Sequence, residues 1–129
     1  MAEPEWIETE VVKRLHDRSI ALHGGLPGLR DEGLLLSALE RPKNRYFYEG
    51  VEDVIALAAT YAVAVAANHP FADGNKRAAF LCLLLFLRLN GHRLEADRVD
   101  ATRVILSVAA GETDIEPLAD WIRKNAKSL

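Results

Sequence analysis

The sequence predicts an all-α, single-domain helical bundle, and three of its features predict it. Two stretches, Val54 to Asn68 and Asn75 to about Asn90, are apolar on nearly every side, the pattern of helices buried all round. The segments flanking them carry apolar residues at helical spacing. With 129 residues the chain suits one domain, long enough to bury a core without disulfide or metal staples.

From Thr9 to His23, Val11, Val12, Leu15 and Leu22 are spaced for an amphipathic helix, which Gly24-Gly25 would end. His16 and His23 are read as partly exposed residues of that helix rather than ligands. The Pro and Gly content of Leu26 to Arg30 makes it a loop, and Asp31 is a natural N-cap for a helix from Glu32 to Arg41. Pro42 is expected to stop that helix. Arg45, Tyr46, Phe47 and Tyr48 then crowd into a short connection, a cluster of the kind that packs as an aromatic lid on the core. Asp53 caps the first central helix, whose alanines allow neighbours to approach closely. Gly91 is placed to stop the second. After a polar connection, His92 to Glu95, a helix begins at Asp97 or Asp100 and ends at Gly111. Its run Val104-Ile105-Leu106 could also form a strand, but no partner strand is evident. Thr113 and Glu116 have capping-box spacing before a last helix holding Leu118, Ala119, Trp121 and Ile122, with Pro117 in its first turn.

Composition excludes several roles. A formal net charge of -3 and the lack of a dense Lys/Arg run argue against nucleic-acid binding. The single cysteine, Cys82, excludes an intrachain disulfide, and its apolar setting predicts a buried, inert thiol. No basic-then-apolar leader opens the sequence, and the longest apolar run, Ala78 to Leu87, is too short to span a bilayer. A cytoplasmic protein without membrane contact is expected.

The two central helices are joined by His69-Pro70-Phe71-Ala72-Asp73-Gly74-Asn75-Lys76-Arg77. An imidazole that can accept a proton is followed by a carboxylate suited to a hard cation, then by Asn, Lys and Arg opening a helix. Two cations in a first turn oppose the helix dipole unless an anion lies among them, and backbone N–H groups there would help to bind it. Each residue alone has a plainer explanation: Asp73 as an N-cap, Gly74 as a turn former, His69 as a surface residue. Together they point to a phosphate site with a base beside it.

HPFADGNKR resembles the core motif of Fic-fold proteins, HxFx(D/E)GNGR, in the variant with Lys in place of the last Gly that marks the death-on-curing (Doc) toxins. Gly24 to Asp31, Leu34-Leu35, Ser37-Ala38, Arg41-Pro42 and Leu89-Asn90-Gly91 are similar to segments of the same family, so the likeness covers most of residues 15 to 124. The resemblance implies a Fic/Doc helical bundle with His69 as catalytic base, Gly74, Asn75, Lys76 and Arg77 on the phosphates of ATP, and Asp73 on Mg²⁺. Phe71 would anchor the motif in the core. Residues Arg45 to Tyr48 would correspond to the target-docking flap, a short strand-like edge.

Two departures from the general Fic pattern bear on the product. Lys76 stands where most Fic proteins have Gly, and Phe80 where the longer motif has a second Arg that grips the γ-phosphate during AMP transfer. Doc toxins share both, and the resemblance implies a reversed nucleotide and phosphorylation of a threonine of elongation factor Tu, halting translation. AMP transfer to a protein hydroxyl and a non-catalytic binding module are the alternatives. No Ser or Thr is followed four residues later by Glu, so the internal inhibitory helix of many Fic proteins has no counterpart. The family implies instead an antitoxin whose disordered tail folds on the toxin.

Overall fold

A computed structural model describes residues 2–129. Its elements run α1 (Thr9–His23), α2 (Glu32–Glu49), α3 (Val54–Asn68), α4 (Asn75–Leu89), β1 (His92–Leu94), α5 (Arg98–Ala109), α6 (Ile115–Asn125) and β2 (Ala126–Ser128). The all-α expectation holds, with one small antiparallel pair, β1 with β2, joined in the register His92 to Ser128 and Leu94 to Ala126. No described helix is long and apolar enough to cross a membrane.

Helix α3 is the centre. Ten of its residues, from Ala56 to Ala66, are buried, and it packs on α4, α2, α6 and α5. Its small side chains, Ala58, Ala59, Ala62 and Ala64, let those neighbours come close while Leu57, Tyr61 and Val65 fill the gaps. Asp53 caps it as expected, its carboxylate accepting from Ile55 N–H. Cys82 is buried beside this core, and burial pushes its thiol up to about 12.

Helix α4 departs from the expectation of burial on all sides. Ala78, Ala79, Cys82, Leu83, Phe86 and Leu87 are buried, but Phe80, Leu81, Leu84 and Leu85 are only half covered. Part of that flank faces a cleft of about 550 Å³ shared with Leu94 and with Ile105 and Leu106 of α5.

Pro42 does not stop α2, which continues through it to Glu49. The ring removes one backbone donor and crowds the preceding turn, a local cost. Tertiary contacts offset it: Pro42 is buried, Arg45 donates to Thr60 Oγ1 at 2.8 Å, and Tyr46 meets Trp6 edge-on at 5.6 Å between ring centroids. Arg45, Tyr46, Phe47 and Tyr48 are therefore helical and form no β flap. Trp6 in turn stacks on Phe86, so the lid reading holds for Tyr46, while Phe47 and Tyr48 stay exposed.

Three smaller corrections concern ends and faces. Leu22 is exposed, because the buried stripe of α1 is Val12, His16, Ser19 and Ile20. The Thr113 to Glu116 capping box does not form: Asp114 caps α6 through Ile115 N–H, and the Thr113 hydroxyl pairs with Ser107 at 2.6 Å. The connection after α4 is a strand, since the chain following α6 returns to pair with it. Residues 104–108 are helical, and α5 starts at Asp97, which accepts from Asp100 N–H.

Candidate functional site

The loop between α3 and α4 is built from both ends. At its start His69 itself is the C-cap of α3, with φ 47° and ψ 55°, the only described non-glycine residue in the left-handed region. That conformation costs an L-residue about 1–2 kcal/mol and is normally left to Gly. A side chain kept there against that cost points to a task for the imidazole, which is exposed. At the other end Gly74, with φ 73°, turns the chain into α4.

Between these ends the loop is closed by its own side chains. Asn75 Oδ1 accepts from Phe71 N–H and Asn75 Nδ2 donates to Phe71 C=O, both at 3.0 Å. The carboxamide of Asn75 thus holds the loop shut, and its backbone N–H is what it offers to an anion. Phe71 is buried as expected and lies flat against His16, with ring centroids 3.8 Å apart and planes 9° apart.

Asp73 points its carboxylate into two backbone donors, Gly74 N–H at 2.8 Å and Leu26 N–H at 3.2 Å. These two bonds hold its carboxyl below the usual range, Gly74 contributing most, with Arg77 adding to the effect. Gly25 makes the approach possible, since a Cβ there would lie 2.8 Å from Asp73 Oδ2.

The first turn of α4 carries the cations. Its N-cap, Gly74, has no side chain to satisfy the helix donors, whereas Asp residues cap α2, α3, α5 and α6. Lys76 is exposed and pairs with no carboxylate among the described residues. Arg77 is half-buried and donates to Ser19 C=O at 3.3 Å and Gly24 C=O at 3.2 Å. It offers an anion its charge while it ties α4 to the end of α1.

Two supports escaped the sequence reading. His16, expected to be partly exposed, is buried and donates from Nε2 to Asp73 C=O at 2.7 Å. Its Nδ1 is buried without a partner, an orphan of a kind that costs about 1–3 kcal/mol. The signal was its spacing, since Val12, His16 and Ile20 fall four residues apart on one helix face. Arg30 is the other: Nε donates to His69 C=O at 2.8 Å and Nη2 to Asn68 C=O at 3.0 Å. Nothing local announces this bond across 39 positions. Residues 45–48, on α2, do not join the loop's hydrogen-bonded framework.

The site therefore combines an exposed imidazole on a fixed cap, a carboxylate held ionised, a free ammonium and an uncapped helix start. Residues 6–87 match the Fic/DOC family. The chain belongs to the Fic/Doc family. Two relatives extend the likeness beyond that segment. One, named Protein kinase doc, from Escherichia phage P1, is 38% identical over 118 residues, covering 92% of this chain and 93% of its own length. The other, named Toxin Doc, from Mycolicibacterium smegmatis, is 37% identical over 120 residues, covering 89% of this chain and 88% of its own.

No group of three or more His, Cys, Asp or Glu side chains gathers to hold a metal among the described residues. A lone carboxylate still suits Mg²⁺, which keeps several waters and is commonly held by one or two carboxylates together with substrate phosphates. Asp73 is the exposed carboxylate of the loop, each of its oxygens accepting one backbone N–H.

Proposed function

We propose that this Fic/Doc protein is the toxin of a toxin–antitoxin pair and transfers the γ-phosphoryl group of ATP to a Ser or Thr hydroxyl of a translation protein, elongation factor Tu first among candidates. The observation that carries it is the pairing of His69, exposed on its left-handed cap, with the uncapped, cationic start of α4. The names of the two relatives, a protein kinase and a toxin, support the same reading.

His69 would take the acceptor's proton as that oxygen attacks the γ-phosphorus, and ADP would leave with the bridging electron pair. Lys76, Arg77 and the N–H groups of the first turn of α4 would hold the phosphates. Asp73 would hold Mg²⁺, which when bound would supply positive charge against the phosphates. Phe80 lines the cleft beside Lys76, where a second Arg would be needed to grip a nucleotide in the AMP-transferring orientation. That substitution favours phosphate over AMP transfer.

The same cleft is lined mostly by apolar side chains of α4 and α5, and Lys76 and Arg77 also line it. An antitoxin segment folding there as an amphipathic helix would cover the cation the nucleotide needs. The deciding experiment is the mass of purified elongation factor Tu after incubation with this protein, ATP and Mg²⁺, beside His69→Ala. A phosphate-sized gain that the variant loses is expected, together with relief of growth arrest in cells expressing His69→Ala. An AMP-sized gain would replace kinase by AMP transfer; no gain on any translation protein would remove the kinase reading.

A further inference from the structure

We propose that Arg30 is a positioning residue for His69, and this rests on the reading of His69 as the base. Segment 28–31 lies antiparallel to the site loop: Arg30 N–H and Asp31 N–H both donate to Pro70 C=O, at 2.7 and 3.0 Å, and Ala72 N–H donates to Gly28 C=O at 3.0 Å. A bridge between Leu29 and Phe71 completes the pairing. These backbone bonds already fasten the two segments. They do not reach residues 68 and 69.

The side chain of Arg30 does. Its Nε and Nη2 take the carbonyls of His69 and Asn68, so one residue contacts three successive carbonyls, 68, 69 and 70. Carbonyls at the end of α3 have no helical donor of their own, and a planar guanidinium can serve two of them in fixed relative geometry. Its charge also suits the negative end of the helix dipole. Asn68 is held from the far side as well, donating to Leu34 C=O at 2.9 Å. Because Arg30 is exposed, packing contributes little to its place. Its effect falls on His69, the one described non-glycine residue in the left-handed region and the bearer of the imidazole. Losing the fork lets residue 69 leave the left-handed region and swings the ring from its direction of attack.

The test compares Arg30→Ala and Arg30→Lys with the full wild-type chain in three readouts. These are kcat and KM for ATP with the protein acceptor, the thermal midpoint, and ring NMR signals of His16, His23, His69 and His92, His69 being assigned with His69→Ala. For Arg30→Ala, kcat should fall about 10- to 100-fold, as a misplaced reacting group does, and KM for ATP should stay within about twofold, since the phosphate contacts are untouched. The His69 signal should shift or broaden while His16, which packs on the same loop, stays at its wild-type position. Arg30→Lys should recover part of kcat, because one ammonium reaches one carbonyl at a time. An unchanged kcat in Arg30→Ala overturns the proposal whatever the signals do. So does a fall in kcat accompanied by a lower thermal midpoint and a displaced His16 signal, which would make Arg30 a general structural support. Should the wild type transfer nothing from ATP, the kinase reading fails by itself. The His69 signal in Arg30→Ala then decides the positioning role alone.

Discussion

At the scale of single residues, the side chains of the site divide between fastening the loop and standing exposed: those of Asn75 and Arg77 bond to backbone groups, while His69 and Lys76 are exposed. Asp73 shows the balance best: its carbonyl takes His16 Nε2–H, its carboxylate takes two N–H groups, and its charge is favoured by them. Gly74 N–H and then Leu26 N–H depress its pKa on folding. A carboxyl so depressed adds stability that is fully present above its unfolded value, about 4, and is lost as pH falls through its lower folded value. Thermal midpoints of wild type and Asp73→Asn should therefore differ most from neutral pH down to about 4 and converge below it; a constant gap down to strong acid would mean that the carboxylate bonds contribute nothing. That His69 belongs to the candidate site was readable from residue type and spacing. The support beneath it was not, because bonds to carbonyl groups can come from any donor that the fold brings near, as Arg30 and His16 show.

Among the elements, helix starts were legible where an Asp precedes the helix, as at Asp31, Asp53 and Asp97, because a side-chain cap is a local bond between near neighbours. At α6 the expected cap, Thr113, is displaced by Asp114, because the Thr113 hydroxyl pairs instead with Ser107 of α5. Asp114→Ala should cost about 1 kcal/mol in chemical denaturation, the ordinary worth of an N-cap; Thr113→Ala should cost less, about 0.5–1 kcal/mol for one hydroxyl bond. The reverse order would restore the capping box. Pro42 misleads for the opposite reason. Its local preference is real, but Thr60 and the ring of Trp6, the latter 40 positions away from Tyr46, hold the following turns in helical form. The two strands carry too few residues for any alternation to show, three in each.

For the whole molecule, everything turns on α3, whose alanines set how near α2, α4 and α6 can lie. Ala62 is fully buried, so a larger side chain there would have to displace packed neighbours. Ala62→Leu should lower stability by about 1–3 kcal/mol by overpacking, seen as a lower thermal midpoint; an unchanged midpoint would mean the helices are looser than their burial indicates. The same tightness keeps the loop between α3 and α4 in one shape, so rigidity at the centre becomes accuracy at the site. At the opposite end of α4, Asn90 exchanges hydrogen bonds with both backbone groups of Glu5, and Leu129 N–H donates to Gly91 C=O. Residues 5 and 129 are thus neighbours across one short seam, about 22 Å along the helix axis from its first turn. The fold is topologically nearly a ring: residue 129 linked to residue 5 by a few glycines and the backbone reopened at the exposed turn around Gly111 would give a circular permutant with the same core and an uncut loop between α3 and α4.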